Sequence, residues 1–518
     1  MRKPTHLKVT TFALFTLVLA SCGKDPNSGG GSTLNANQFF LPMGTIPQLD
    51  LVFMIDNSPS MAPKQDKLRA QFPKLIDALK NPGDGSLPDL RIAIIDSDLG
   101  TGGAYMSGSC GPSYNSNSNY GDLGKFMMLG ASACGVTDPN ARWLEYQGGS
   151  PVNFTGDVQS VFSCLAGNLG TLGCGMEQQL QSYEFALKAS GLGNEPQHAM
   201  LRQGAYLGLV FLSDEDDCSA SMNDGMYGDK PEARGESASL RCATRAHACG
   251  GKNLTSSPPG YPTEATFEAP FASCAARTDA CPNALDGNGA KGTDTSGPTS
   301  CSPLRSTSKL ASEMKSMKKL PNEQVLVSGI FGWPLSDADM ATATYKIAPI
   351  PNPNTADTEH PTVFDSFPVC YDPNHPPTHP DPATGFDAEA AGYGATGGLR
   401  MSAFVDEFGA NGQKFSICQP DFSAAMSQIG STLAKKMRNQ CVPTSYTQTP
   451  QCAASYDTPD GAQEAIPVCD VTESLVPCYS LVNDQNLCPG DAYLVHLNRG
   501  TSATGQVPAG TWLVFSCP

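Results

Sequence analysis

The feature that most constrains the fold is an apolar run that ends in a polar turn, residues 49–61, LDLVFMIDNSPSM. A nearly continuous apolar run of this length is typical of a strand buried on both faces of a parallel sheet. Apolar residues then recur at helical spacing from Leu68 to Leu79. We therefore predict a strand, a loop and a helix in succession, with the loop at the carboxyl edge of an open α/β sheet, where ligands bind.

The predicted loop carries oxygen ligands at alternate positions: Asp56, Ser58 and Ser60. A carboxylate beside hydroxyl groups suits a hard cation such as Mg²⁺, which prefers oxygen ligands at roughly 2.0–2.1 Å in a near-octahedral shell. The alternative is that one of the two serines serves only as the N-cap of the helix. The position of the loop, between a buried strand and an amphipathic helix, favours the cation site.

Two further segments follow the same plan. Thr171 lies in a glycine-rich turn, residues 170–175, that precedes a helical pattern. Asp214 follows the apolar strand predicted at residues 206–212. Acidic residues continue after it, and they bind a second ion or form a solvated loop.

Taken in order, the three segments resemble the metal-binding loops of von Willebrand factor type A domains. The resemblance implies a doubly wound α/β fold with a mostly parallel sheet. It also implies a metal-ion-dependent adhesion site for Mg²⁺, or for Mn²⁺ or Ca²⁺, in which a protein partner supplies an acidic side chain. The residues that match this site are Asp56, Ser58, Ser60, Thr171 and Asp214. Glu215 departs from the family pattern, which usually has glycine there.

The N-terminus has the pattern of a secretion signal, because basic residues precede a short apolar stretch at residues 12–19. Residues 19–22, LASC, match the bacterial lipobox, which implies cleavage before Cys22 and lipidation of that cysteine. An ordinary signal peptide with a chance cysteine is the alternative. We expect an exported lipoprotein, anchored in the cell envelope through Cys22, with the outer membrane favoured and a periplasmic or surface-facing orientation. Residues 23–48 are predicted to be a flexible tether.

The other cysteines indicate an oxidising compartment. Setting Cys22 aside leaves 18 of the 19 cysteines, and these fall in even groups of four, six, two and six along the chain. We predict disulfides within each group. One specific possibility is a Cys164–Cys174 bond that would fix the Thr171 turn. Zinc binding is the rival interpretation, and it is disfavoured because the sequence has no C-x-x-C pair.

The domain organisation follows from these patterns. Residues 1–22 are the signal peptide, and residues 49–440 form the type A-like domain. This domain carries insertions at about 100–150, 218–305 and 335–395. Residues 441–518 contain six cysteines and short β-like runs, which predict a small disulfide-stapled β module.

The leading functional hypothesis is a binding protein of the cell envelope that holds a protein partner through the metal site. A net charge of -17 argues against nucleic acid as the partner. An enzyme is disfavoured because the sequence has no G-x-S-x-G, H-E-x-x-H or phosphate-loop motif. The alternatives are a structural envelope protein in which the metal only stabilises the fold and, with less support, a metal-dependent hydrolase.

Overall fold

A computed structural model describes most of the chain, within one compact unit from Asn35 to Pro518. The described residues are 38–43, 47–81, 85–100, 121–188, 196–220, 238–254, 267–281, 301–351, 362–377, 392–438, 441–447, 452–458, 463–470, 477–485, 488, 492–498 and 511–517. The predicted signal peptide, Cys22 and most of the predicted tether lie outside these ranges. No helix in the described ranges is long and apolar enough to cross a membrane.

The described chain is a mixed α/β structure. Its α-helices are α1 Ala62–Leu79, α2 Val158–Gly167, α3 Gln179–Leu187, α4 Ala238–Ala246, α5 Thr307–Ser316, α6 Pro321–Gln324, α7 Asp337–Thr342, α8 Leu399–Asp406 and α9 Ser423–Arg438. Short 3₁₀ helices occupy Pro59–Met61, Pro196–Met200, Phe271–Ser273, Gly409–Asn411 and Thr444–Tyr446. The first eleven strands are β1 Gln38–Pro42, β2 Gln48–Ile55, β3 Asp89–Ile95, β4 Leu144–Gln147, β5 Ser150–Pro151, β6 Tyr206–Ser213, β7 His247–Cys249, β8 Lys252–Asn253, β9 Phe267–Pro270, β10 Cys274–Ala276 and β11 Val325–Phe331. The remaining strands are β12 Thr344–Pro351, β13 Thr362–Ser366, β14 Cys370–Tyr371, β15 Gly394–Ala395, β16 Gly412–Ser416, β17 Cys441–Pro443, β18 Ala453–Asp457, β19 Gln463–Ala465, β20 Cys478–Val482, β21 Ala492–Asn498 and β22 Trp512–Ser516.

The main sheet has seven strands in the order β16-β11-β6-β2-β3-β4-β5. The five strands from β16 to β3 are parallel, and β4 and β5 add an antiparallel edge. Strand β2 lies at the centre, and seven of its eight residues are buried. The apolar run that predicted this strand is therefore covered on both faces, as expected for a parallel sheet.

Helices cover both faces of the main sheet. Successive side chains of β2 point to opposite faces, so their contacts show what covers each face. On one face, Phe53 packs against Phe72 of α1 and Phe162 of α2. On the other face, Val52 and Met54 belong to a core cluster that also takes residues from α3, α5 and α8. Helix α9 packs against α1.

The predicted insertions are more closely integrated than the sequence suggested. Residues 144–151 fall in the insertion predicted at about 100–150, but they form β4 and β5 and extend the main sheet. Strand β9, from the second predicted insertion, pairs with β12, which pairs with β13 in the third. The paired strands are far apart in sequence, so local sequence patterns do not indicate that they pair.

The C-terminal region contains two small sheets, with orders β1-β22-β18-β19 and β17-β21-β20. Strand β1 pairs along its full length with β22, from Gln38 opposite Ser516 to Pro42 opposite Trp512. This part of the segment predicted as a flexible tether is therefore a strand of the C-terminal sheet. It is ordered because its side chains join a core with residues of β18, β20 and β22.

The disulfides follow the predicted grouping wherever both cysteines are described. The pairs are Cys134–Cys164, Cys218–Cys242, Cys249–Cys274, Cys281–Cys301, Cys370–Cys418, Cys441–Cys488, Cys452–Cys517 and Cys469–Cys478. Each bond stays within one of the even groups. The Cys164–Cys174 bond considered from the sequence is wrong, because Cys164 pairs with Cys134.

Candidate functional site

The candidate site lies at the carboxyl ends of β2 and β6, which are neighbours in the main sheet. Asp56 directly follows β2, and its backbone N–H donates to Leu212 O at 3.0 Å. Asp214 directly follows β6. Parallel pairing therefore brings the first and third predicted loops to the same edge of the sheet.

Asp56 is fully buried and is held by hydroxyl and backbone donors. Its Oδ1 accepts from the backbone N–H of Ser58 at 2.8 Å and from Ser97 Oγ at 3.2 Å, and its Oδ2 accepts from Ser213 Oγ. Burial, reinforced by the negative charge of Asp214, raises the pKa of Asp56 to about 6. Burial is the larger cause of this shift, and the second cause shows that the negative charge of Asp214 acts on Asp56.

The two serines of the first loop face each other, with Ser58 Oγ 3.5 Å from Ser60 Oγ. Adjacent ligands of an octahedral Mg²⁺ ion lie about 2.9 Å apart when each bond is about 2.05 Å. The distance between the two hydroxyl oxygens is therefore slightly longer than the distance between adjacent ligands of one Mg²⁺ ion. Ser58 precedes the Pro59–Met61 helix, but its side chain makes no capping hydrogen bond. The N-cap alternative therefore does not account for its hydroxyl.

The Thr171 loop is fastened to the first loop through its neighbours. Gln65 Nε2 donates both to Asp56 O at 2.8 Å and to Gly170 O at 3.0 Å. Gly173 N donates to Asn57 O at 2.8 Å. A Cβ at Gly173 would lie only 2.0 Å from Asn57 Oδ1, so the close approach requires glycine. Half-buried Thr171 thus lies in a loop that is held against the Asp56 loop.

A lysine that the sequence analysis did not single out also lies in the site. The Nζ atom of Lys64 forms an ion pair with Asp214 Oδ2, and both side chains are buried. The same Nζ lies 3.4 Å from the backbone oxygen of Ser60. Asp214 Oδ1 is buried and has no hydrogen-bond partner among the residues that the structure describes. One signal was available: a basic residue in the first turn of a helix opposes the helix dipole, which suggests an acidic partner elsewhere.

Two glutamates enlarge the acidic cluster. Burial and repulsion from Asp214 raise the pKa of Glu215 to about 8, and Glu215 Oε2 accepts from Ser239 Oγ at 2.7 Å. Glu177 is fully buried, and within the described part of the chain neither of its carboxyl oxygens has a hydrogen-bond partner. Burial, followed by repulsion from Glu215 and Asp56, raises the pKa of Glu177 well above its ordinary value. These acids make a cation favourable at this edge of the sheet.

A second group of buried acids follows β3. Asn57 Nδ2 donates to Asp96 Oδ2 at 3.2 Å, which links this group to the first loop. Burial and repulsion from Asp122 raise the pKa of Asp98 to about 7 and raise that of Asp96 well above its ordinary value. The sequence analysis did not single out this group.

The acidic residues after Asp214 form neither a solvated loop nor an open second ion site. Asp216 Oδ2 lies 2.6 Å from His247 Nε2, and His247 Nδ1 lies 2.8 Å from Tyr345 Oη. Asp217 pairs with Arg400 at 2.8 Å. These carboxylates are buried, and their hydrogen bonds and ion pair fasten β7, α3 and α8 to the end of β6. His247 lies near the site in space, although it is distant in sequence, and both of its ring nitrogens are engaged.

The oxygen atoms at this site fit the ligand preference of a small divalent cation, and the ammonium group of Lys64 competes with that cation. Asp214 Oδ1 is buried and unpaired among the described residues, and the Ser58 and Ser60 hydroxyls are not used in capping. In the described part of the chain, no group of three or more His, Cys, Asp or Glu residues is arranged to hold a metal. A cation here would therefore depend on serine and threonine hydroxyls as well as carboxylates, and it would meet the ammonium group of Lys64.

Comparisons with known proteins give little further guidance. No protein-family model and no curated protein matches the chain. Solved structures similar to it include the pilus adhesin SpaC from Lactobacillus rhamnosus GG in its open conformation, at 9% identity and a TM-score of 0.29, covering 92% of this chain and 39% of SpaC. The adhesive tip pilin GBS104 from Group B Streptococcus agalactiae is 12% identical, with a TM-score of 0.27, covering 93% of this chain and 80% of GBS104.

The pilus adhesin RrgA from Streptococcus pneumoniae is also 12% identical, with a TM-score of 0.22 and coverage of 93% of this chain and 57% of RrgA. The match with SpaC, described above, spans only 39% of the length of SpaC. At these TM-scores the likeness does not define a shared fold.

Proposed function

We propose that this chain is a binding protein of the bacterial cell envelope that holds an acidic protein partner through a divalent cation, Mg²⁺, Mn²⁺ or Ca²⁺. The cation would be held by five residues: Asp56, Ser58, Ser60, Thr171 and Asp214. The observation that carries the proposal is that the buried carboxylates Asp56 and Asp214 lie at the same sheet edge as two serine hydroxyls, one of them half-buried, and the ammonium group of Lys64.

The fold proposed for residues 49–440 is a doubly wound domain of the von Willebrand factor type A kind. Five parallel strands with helices on both faces support this proposal. In addition, the loops that match the family pattern are neighbours: the Asp56 loop touches the Thr171 loop through Gln65 and lies beside the end of β6. Ligands of open α/β sheets bind at this edge.

Each residue has a role that follows from its chemistry. The hydroxyls of Ser58, Ser60 and Thr171 are neutral ligands, whereas Asp56 and Asp214 balance the charge of the cation. When bound, the cation would supply an electrophilic coordination position for the carboxylate of a partner. Ser97 and Ser213 orient Asp56, because both donate hydrogen bonds to its carboxylate.

The envelope location rests on the sequence and on the disulfides. Lipidation of Cys22 would anchor the chain in the membrane, with the outer membrane favoured. Eight disulfides among the described residues support an oxidising compartment such as the periplasm or the cell surface.

A carboxylate probe tests the proposed binding role. N-acetylglutamate amide is mixed with the purified chain and Mn²⁺, and the paramagnetic broadening of its side-chain methylene NMR signals is measured. N-acetylglutamine amide controls for the carboxylate. The variant Asp214→Asn controls for the site, and Asp66→Asn, an exposed acid on α1, controls for a general loss of charge.

We expect the parent and Asp66→Asn to broaden the glutamate signals more than Mn²⁺ alone, and Asp214→Asn to lose this excess. The glutamine probe should not respond. If the parent binds Mn²⁺, as followed by EPR of the free ion, but the glutamate signals show no excess broadening, the cation has only a structural role and the binding function is wrong.

A further inference from the structure

Lys64 is in an unfavourable position for a cation. Its side chain is 1% exposed, and burial of an ammonium group costs free energy unless an anion compensates for it. It also lies in the first turn of α1, where the helix dipole disfavours positive charge. The ion pair with Asp214 offsets both costs, together with a weaker approach of Nζ to Ser60 O at 3.4 Å.

Asp214 is also the residue that a divalent cation would need. An ammonium group and a divalent ion on one carboxylate repel each other strongly when water is excluded. The side chain of lysine is long and flexible, so it can turn toward water when its anion is taken. The negative charge of Asp214 can therefore be balanced in two ways, by the ammonium group of Lys64 or by a divalent cation from solution.

We propose that Lys64 is a built-in counter-ion that a divalent cation must displace from Asp214 in order to bind. This inference rests on the proposed cation site and explains how the affinity of that site for the cation is regulated. The lysine keeps the acidic cluster balanced at low cation concentration and lowers the affinity of the site, so that cation binding moves Lys64 toward solvent. Partner binding would then follow the divalent cation concentration around the cell.

The first test compares Mg²⁺ affinity by isothermal titration in the parent, Lys64→Met and Lys67→Met. Lys67 is the matched control, because it lies on the same helix but pairs with Asp372 and donates to Gln419 O at 2.8 Å. Removal of the competing charge should raise the affinity of Lys64→Met for Mg²⁺ by at least about tenfold. Lys67→Met should bind as the parent does.

The second test needs no variant, which matters because Lys64→Met leaves Asp214 without its partner and can unfold the chain. The parent is acetylated with an amine-reactive reagent in EDTA and in saturating Mg²⁺, and acetylation of each lysine is read by mass spectrometry. Acetylation of Lys64 should rise several-fold in Mg²⁺, while that of Lys67 stays the same.

The outcomes separate this inference from the proposed function. If the parent binds Mg²⁺ but Lys64→Met binds no more tightly and Lys64 acetylation does not rise, the cation site stands and the counter-ion role is wrong. If Lys64→Met binds Mg²⁺ and the parent does not, Lys64 is a competitor that excludes the cation, and the proposed function is wrong. If neither binds, both proposals are wrong.

Discussion

The ammonium group of Lys64 pairs with the carboxylate of Asp214, although the two residues are 150 positions apart in the chain. The pair joins the first turn of α1 to the end of β6 at the edge where the predicted ligands meet. It also sets one positive charge among the acids Asp56, Glu177 and Glu215, whose pKa values are raised by burial and mutual repulsion.

Stability in the presence of a chelator should fall as pH rises. The pKa is raised to about 6 at Asp56, about 7 at Asp98 and about 8 at Glu215. The folded state therefore holds protons that the unfolded state has already released. The stabilising contribution of these acids is complete below about pH 4 and is lost between about pH 4 and pH 8. Acids with lowered pKa values, such as Asp157, titrate below this window.

Thermal melting in EDTA at about pH 5 and about pH 8 checks this prediction. We expect a lower melting temperature at the higher pH, a smaller fall in saturating Mg²⁺, and a smaller fall in Glu215→Gln, which removes one titrating group. A melting temperature that rises from pH 5 to pH 8 in EDTA would contradict the account of the acidic cluster.

A buried ion pair at the opposite end of β2 should matter for stability alone. Asp50 accepts from Arg202 Nε at 2.8 Å and from Lys318 Nζ at 3.2 Å, and the side chains of Asp50 and Lys318 are fully buried. Asp50→Asn leaves Lys318 without its anion, which should cost about 3–5 kcal/mol in the free energy of unfolding.

Asp66→Asn, in an exposed pair with Arg69, should cost less than about 1 kcal/mol. Chemical denaturation of both variants checks the difference. Equal losses in the two variants would show that Asp50 does not have the proposed role. Mg²⁺ affinity should be the same in both, since Asp50 lies at the start of β2 and the site lies at its end.

Sequence patterns predicted the main sheet because its central strands are long apolar runs. The strand predicted at residues 49–55 is β2, Gln48–Ile55, and the strand predicted at 206–212 is β6, Tyr206–Ser213. The helical spacing from Leu68 to Leu79 falls in α1, Ala62–Leu79. These elements are determined locally, by burial.

The rest of the site depended on contacts between distant segments. From the sequence alone, Lys64 resembles a solvent-exposed helix residue, because its partner Asp214 is distant in the chain. The residues next to Glu177 in sequence do not indicate that it is buried. In α3 every residue is buried, including Gln179, Gln181 and Glu184, so the predicted amphipathic pattern did not reveal that both faces are covered. The five-residue metal set stays a prediction.

The pairing of β1 with β22 should make the C-terminal sheet depend on a segment from the beginning of the chain. Leu41 is 3% exposed and lies in the core of this sheet. Leu41→Ala should reduce the local stability by about 2–4 kcal/mol and speed amide exchange in β22. Phe40, half-buried on the same strand, points to the other face and provides the control. Equal effects of Leu41→Ala and Phe40→Ala would contradict the register of this pair.

The most direct measurement of the central claim is isothermal titration of Mg²⁺ and Mn²⁺ into the chelator-treated chain and into Ser58→Ala/Ser60→Ala. Ser306→Ala/Ser308→Ala, at the exposed start of α5, is the matched control. We predict saturable binding in the parent and in the control, and loss of binding in the first double variant, because two of the neutral ligands are then absent. Binding that survives Ser58→Ala/Ser60→Ala unchanged would show that the cation, if it has a site on this chain, is not held at the carboxyl edge of β2.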